Sequence, residues 1–334
     1  MPRHTSRILA GALMALATAA CVPDRKTEDP APAPTVTETG PGAVTGSPLV
    51  SEADVDNLIR DFTAWNNRTN LAVNAGAVTE FESEAAREMD EAALSSRAAG
   101  DVPKPFSYQR VGSRVPGRTS GADWFVVETM TSLSSTNFPL IMVRDGSRWK
   151  LAHYAEVNAA LPQTRTDLTG NVEIVDAADA GGTLVAAPEK VAAAHAKTIA
   201  FEAPADPLFG GDTTTKQVLN PISYLYTTLF QSTKQPVAAT RLTYRTEVAP
   251  YPVRALRTAE GGAVIAYTTV TEIVGTYPGL MPYVKPQYRK ISKGAVRGRN
   301  TIHVIAQWWA QVPPKGSNFP VAILGGTTGI TRFS

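Results

Sequence analysis

The chain reads as an α+β protein built twice over, each time as helices packed on one face of a curved antiparallel sheet, behind a signal peptide and a disordered tether. Three observations predict this. A basic start and a short uncharged run lead to the single cysteine, Cys21. A Pro/Thr/Gly-rich stretch follows it. Beyond that, the hydrophobic period is first helical and then extended, and this order occurs twice.

Arg3, His4 and Arg7, the thirteen uncharged residues Ile8 to Ala20 and the small residues Ala19 and Ala20 have the build of a secretory signal peptide over residues 1–20. The run is shorter than the roughly 20 apolar residues that span a bilayer. Its end, Thr18-Ala19-Ala20-Cys21, resembles the lipobox of bacterial lipoproteins, with Thr18 where members of that family most often carry Leu. The resemblance implies acylation of Cys21 and cleavage before it, and two acyl chains suffice to hold a protein on a membrane. The alternative is an ordinary signal peptide that leaves Cys21 as a free thiol, an exposed liability in an exported chain.

Removing residues 1–20 leaves 30 basic and 30 acidic side chains, so the mature chain is expected to be neutral. With one cysteine no internal disulfide can form, and stability must come from core burial. Residues 21–50 carry few large apolar side chains and cannot bury enough surface to offset their ordering entropy. At about 3.1 Å per residue in their stiffest form, the 27 residues Val22 to Pro48 reach up to roughly 80 Å from a membrane.

The first domain is expected over 51–157. Ser51-Glu-Ala-Asp54 is a helix-start signal, and Val55, Leu58, Ile59, Phe62 and Trp65 follow at helical spacing. Polar Asn66 to Asn70 interrupts the pattern, and a second helical run covers Val78 to Ala92. Residues 106–115, 124–131, 138–144 and 148–157 read as strands, the last two joined by the hairpin signal Asp145-Gly146. Residues 158–187, with Pro162, Gly170, Gly181 and Gly182, read as a connector and a poor core former, with a short strand at 171–175. In the second domain, 188–334, residues 193–201 and 217–230 read as helices and 240–249, 263–274, 301–312 and 321–333 as strands. Pro105-Phe-Ser-Tyr108 has a partner in Arg241-Leu-Thr-Tyr244, and Asn137-Phe-Pro139 in Asn318-Phe-Pro320. The two offsets differ by about 45 residues, which implies an insertion in the second copy.

Two helices followed by a meander whose hairpin reads Val143-Arg-Asp-Gly-Ser-Arg-Trp-Lys-Leu151 resemble the nuclear transport factor 2-like fold, whose late strands often carry a Gly-x-Trp-Lys-like turn. Asp145-Gly146 and Trp149-Lys150 match that pattern. The match covers about 51–157 and extends to 188–334 only by analogy, with Gly325-Gly326 as a loose stand-in for the turn. It implies two tandem cone-like domains. As a whole the chain resembles the Ala-rich tandem-domain lipoproteins of high-GC Gram-positive (actinobacterial) bacteria. Family members with isomerase or dehydratase activity use a His and an Asp inside the cone. Alternation places His153 on the strand face of Trp149 and Leu151, which makes it the candidate general base, against the plainer reading of a core histidine. His303 is expected to share a face with Ile305, Gln307 and Trp309.

No cofactor is implied. No nucleophile elbow or phosphate-binding glycine loop is present, and Gly210-Gly211, Gly261-Gly262 and Gly325-Gly326 read as turns. His195 has no acid or thiol at ligand spacing, so no metal site is expected. Charge is more telling. Residues 51–160 carry 11 basic and 15 acidic side chains, and 187–334 carry 16 and 7. Lys285, Arg289, Lys290, Lys293, Arg297 and Arg299 fall together without an acid, which marks a candidate polyanion-binding site. Outside the cell its partners would be anionic lipid or a cell-wall polymer, not nucleic acid. The plainer reading is a solvated loop that balances the acidic first half. The expectation is a lipid-anchored protein on the extracytoplasmic face of the cell membrane, acting as a non-enzymatic binding or scaffold module of the envelope. The alternative is an enzyme or small-ligand carrier using the first cone.

Overall fold

The computed structural model describes residues 46–97, 102–179, 181–200, 206–210, 241–276 and 299–333, together with the backbone of 230–231 and 283–284. The expected signal peptide, most of the tether and the helix at 217–230 lie outside the described residues. Residues 46–334 form one compact unit.

Helix α1 spans Glu52–Ala72 and is capped by Ser51, whose hydroxyl accepts from the Asp54 amide at 3.2 Å. It runs straight through the polar stretch expected to end it. There Asn67 brackets the Phe106 backbone, donating to its carbonyl at 2.7 Å and accepting from its amide at 3.1 Å, so the asparagines anchor the approach to the first strand. A 3-10 turn over Ala75–Glu80 leads to α2, Glu84–Ser95. Strands β1 (Tyr108–Arg114), β2 (Trp124–Thr131), β3 (Leu140–Asp145) and β4 (Arg148–Tyr154) form an antiparallel sheet in sequence order. The Asp145-Gly146 turn lies where the sequence puts it, with Gly146 at a φ of 62°.

Helix α3 covers Pro188–Ile199, with Pro188 in the first turn, where its missing N–H costs nothing. Strand β5 (Phe230–Gln231) pairs with β9 (Tyr283–Val284). The second large sheet comprises β6 (Arg241–Val248), β7 (Arg254–Arg257), β8 (Ala263–Thr276), β10 (Arg299–Val312) and β11 (Ala322–Phe333), in the order β11-β10-β8-β6. Strand β7, which the sequence pattern did not signal, takes over from β6 along the remaining edge of β8.

The described layers run helix, sheet, sheet, helix. Val55, Ile59, Phe62, Trp65 and Ala86 pack on one face of the first sheet, against Phe125, Val127, Leu140, Met142 and Leu151. The opposite face, with Trp124, Val126, Ile141, Val143 and Ala152, packs on Leu256, Val264, Ala266 and Trp309 of the second sheet. The far face of that sheet buries Tyr267, Ala306 and Trp308 under Val191, Ala192 and Ile199 of α3. Both α+β halves are present, but their sheets share a core, and Trp308 and Trp309 fill opposite sides of β10. The connector expected to be a poor core former contributes buried Leu161, Val172, Val175 and Leu184. It makes only isolated bridges, from Val172 to Pro116 and from Ile174 to Leu256, in place of the expected strand. The buried Arg114 guanidinium holds it in place, pairing with Glu128 at 2.7 Å and donating to the Leu161 carbonyl at 3.0 Å.

Gly325-Gly326 is not a turn. Both residues lie within β11, where a Cβ on Gly325 would collide with the Glu156 carbonyl and one on Gly326 would come within 2.6 Å of the Trp308 ring. Glycine permits this close approach of two backbones.

Candidate functional site

The helix-covered face of the first sheet ends in a cluster of aromatic rings. Tyr108 opens β1, Phe138 precedes β3 and Tyr154 closes β4, so antiparallel pairing brings all three to one end of the sheet. Ring centroids are 5.1 Å apart for Phe106 and Tyr108, 6.4 Å for Tyr108 and Phe138, and 5.6 Å for the stacked pair Phe138 and Tyr154. These four rings are half-buried. Behind them Trp65 lies against Phe81 at 4.6 Å.

Two carboxyl groups sit under this cluster. Glu82, 1% exposed, precedes α2 and is joined to the middle of β4 by its bridge to Leu151, and Asp90 lies in the second turn of α2. Burial first, then the charge of Asp90 and a hydrogen bond to it, push the Glu82 carboxyl well above the usual range. Burial raises Asp90 as well, against the hydrogen bond from Tyr154, that from Glu82 and the nearby charge of Arg97. Glu82 is thus the member of the pair on which burial favours the protonated form most, since two carboxylates in one apolar site cannot both ionise cheaply. Asp90 also accepts from the Tyr154 hydroxyl at 2.7 Å. The other oxygen of Glu82, Oε2, is buried without a hydrogen-bond partner. Between α1 and β1, Tyr108 also borders a groove of about 290 Å³ lined by Asp56, Ile59, Arg60, Thr63, Ser107 and Arg110.

His153 is not on this face of the sheet. A bulge opposite Ile141 and Met142 makes Ala152 the extra residue of β4, so Leu151 pairs with Met142 and His153 with Ile141. Leu151 and Tyr154 consequently face the helices, while His153 turns to the second sheet, its ring edge-on to Trp309 at 5.6 Å. Burial, then the charge of Arg254, lowers its pKa to about 3, and its Nε2 has no hydrogen-bond partner. Among the described residues no carboxylate is hydrogen-bonded to it, which removes the geometry a general base would need. The strict alternation assumed for β4 fails at that one bulge. The acid pair between the helices and the first sheet was missed, although Asp90 follows buried Ala86 by one helical turn and thus borders the apolar stripe.

His195 is a core residue, fully buried with Nδ1 2.7 Å from the Tyr267 hydroxyl and its ring against Trp308. His303 shares its face with Ile305, Gln307 and Trp309 as expected, because β10 pairs with β8 in unbroken register. It accepts from Arg332 at 2.8 Å. Gln307 carries a structural role: its amide donates to the Ala152 carbonyl and accepts from the Tyr154 amide, both at 3.1 Å, which completes the outer edge of β4. Arg299 is exposed at the start of β10, whereas Lys285, Arg289, Lys290, Lys293, Arg297 and Cys21 lie outside the described residues. Among the described residues no group of three metal-ligating side chains is found, and no helix is long and apolar enough to cross a membrane.

Two sheets packed back to back between helices, with a buried acid pair under an aromatic rim, define an α+β domain that spans both halves. Residues 46–334 match the model of DUF8094, a domain of unknown function, and the chain belongs to that family. No curated protein and no solved structure matches the chain.

Proposed function

We propose that the protein is a lipoprotein held on the extracytoplasmic face of the cell membrane through acylated Cys21, and that residues 46–334 act as a binding module of the cell envelope and not as an enzyme. The observation that carries this reading is the filling of the layers by the chain's own side chains. Phe62, Phe125, Leu140, Met142, Tyr267, Trp308 and Trp309 occupy the space between sheets and helices. A filled interior leaves the surface for partners. The six basic residues from Lys285 to Arg299 are the proposed contact with an anionic lipid or cell-wall polymer.

Co-sedimentation of residues 46–334 with anionic liposomes and with purified cell wall, at low and high salt, tests the contact. Binding should be strong at low salt and should fall both at high salt and when all six residues are changed to Gln. Equal binding by the two forms removes the basic stretch from the function.

A second reading rests on the first half alone. The Glu82–Asp90–Tyr154 cluster, bordered by half-buried rings, supports a small-ligand site or an active site there. In that reading these residues, and not His153, meet the ligand.

A further inference from the structure

We propose that the end of the first sheet's helix-covered face is a carbohydrate-binding site, where the rings of Phe106, Tyr108, Phe138 and Tyr154 pack on a sugar ring and Asp90, Tyr154 and Glu82 hydrogen-bond its hydroxyls. The proposal rests on the second reading above and names its ligand class.

Three features select this chemistry. Half-buried rings in mutual contact present flat apolar surface at an edge where water still reaches, and a sugar has an apolar face of that size. The Tyr154 hydroxyl lies 2.7 Å from Asp90, and beside it burial favours the protonated form of Glu82, so donors and acceptor lone pairs stand together, matching hydroxyls that both give and take hydrogen bonds. Glu82 Oε2 is buried without a partner, an unmet acceptor of the kind that native interiors seldom leave empty. A cationic ligand fits less well. The charge of Arg97 already acts on Asp90, and a fixed charge would have to be desolvated beside a carboxyl that burial keeps protonated. An anionic ligand would face Asp90 directly.

The proton on Glu82 sets a pH signature. The charged and titratable groups facing the pair are Tyr154 from β4, Tyr108 from β1, Arg97 beyond α2 and Glu91 on α2. The folded-state pKa of Glu82 is raised, so the protonated form persists from acid pH until the pH rises through that value. Sugar binding should hold across this range and disappear above it, and the chain should lose stability over the same rise.

The experiment is a glycan array probed with residues 46–334, beside Asp90→Asn, Glu82→Gln and Phe138→Leu, with melting curves to show that each variant is folded. A set of glycans should be retained by the native sequence. Asp90→Asn should weaken that retention at least tenfold, and Phe138→Leu should weaken it while leaving its pH profile unchanged. Glu82→Gln should retain binding at alkaline pH, where the native chain loses it. If Glu82→Gln does not fold, the pH profile of the native chain carries the test. A blank array, or equal retention by Asp90→Asn, overturns the proposal. Choline titrated against the intrinsic tryptophan fluorescence of residues 46–334 then separates two failures. Saturable choline binding with a blank array means that the site exists and takes an organic cation, whereas no response to either probe overturns the second reading too.

Discussion

At the scale of single residues, one extra amino acid decides where the chemistry sits. The bulge at Ala152 sends Tyr154 to the helix-covered face and His153 into the layer between the sheets. A neutral imidazole there has a measurable consequence. Its folded-state pKa is lowered to about 3 while the unfolded chain titrates near 6.5, so its contribution is present above pH 6.5 and is lost as pH falls through that window. The cost is about 1.4 kcal/mol per pH unit. Urea unfolding at pH 7, 6 and 5 should give the native chain a slope more positive than that of His153→Phe by this amount, since the opposing slope from Glu82 and the contribution of His303 are common to both. An unchanged slope would place the proton elsewhere. Strand alternation was legible in the sequence, but a bulge carries no mark in Trp-Lys-Leu-Ala-His-Tyr, so the face of His153 was not. The acids were legible in part: Asp90 lies beside the apolar stripe, but Glu82 reaches it only because Leu151 pairs with the segment before α2.

At the scale of elements, α2 joins the halves. It touches β4 of one sheet and β10 and β11 of the other. Met89 lies against Ile305 and close over Gly329, where a Cβ would be 3.0 Å from its side chain. Glu84 opens the helix at a φ of 49°, a left-handed conformation that costs a non-glycine residue about 1–3 kcal/mol and persists only where its surroundings impose it. Arg254 on β7 imposes it, gripping both Glu84 oxygens at 2.6 and 2.9 Å, and the Tyr251 hydroxyl donates to Glu88 one turn on. Arg254→Ala leaves Glu84 strained and unpaired, and should destabilise the chain by about 3 kcal/mol in chemical unfolding. A loss below about 0.5 kcal/mol would mean that α2 is held by packing alone. The helix itself was readable from its 3.6 period. Its ionic partner was not, because β7 is a four-residue strand with no alternating pattern to announce it.

Over the whole molecule, the sequence reading of two α+β halves in series holds for their composition, and the layering adds the shared core. The signal lay in β2, where Trp124 to Val127 are all buried, as befits a strand covered on both faces. Fragment 46–157 made alone would expose Trp124, Val126, Ile141, Val143 and Ala152, a contiguous apolar face. It should aggregate or stay partly unfolded, while 46–334 unfolds in one cooperative step. A soluble fragment with sharp melting would show that the halves fold independently.

The functional account depends first on the anchor, and one labelling measurement reaches it directly. Cells expressing the native chain or Cys21→Ser are fed an alkyne analogue of palmitate and fractionated. The account predicts label on the native chain, recovered with the membrane, and an unlabelled Cys21→Ser form recovered in the soluble fraction or the medium. Unlabelled native protein released with the variant would contradict it, and residues 46–334 would then be a secreted domain with no fixed address.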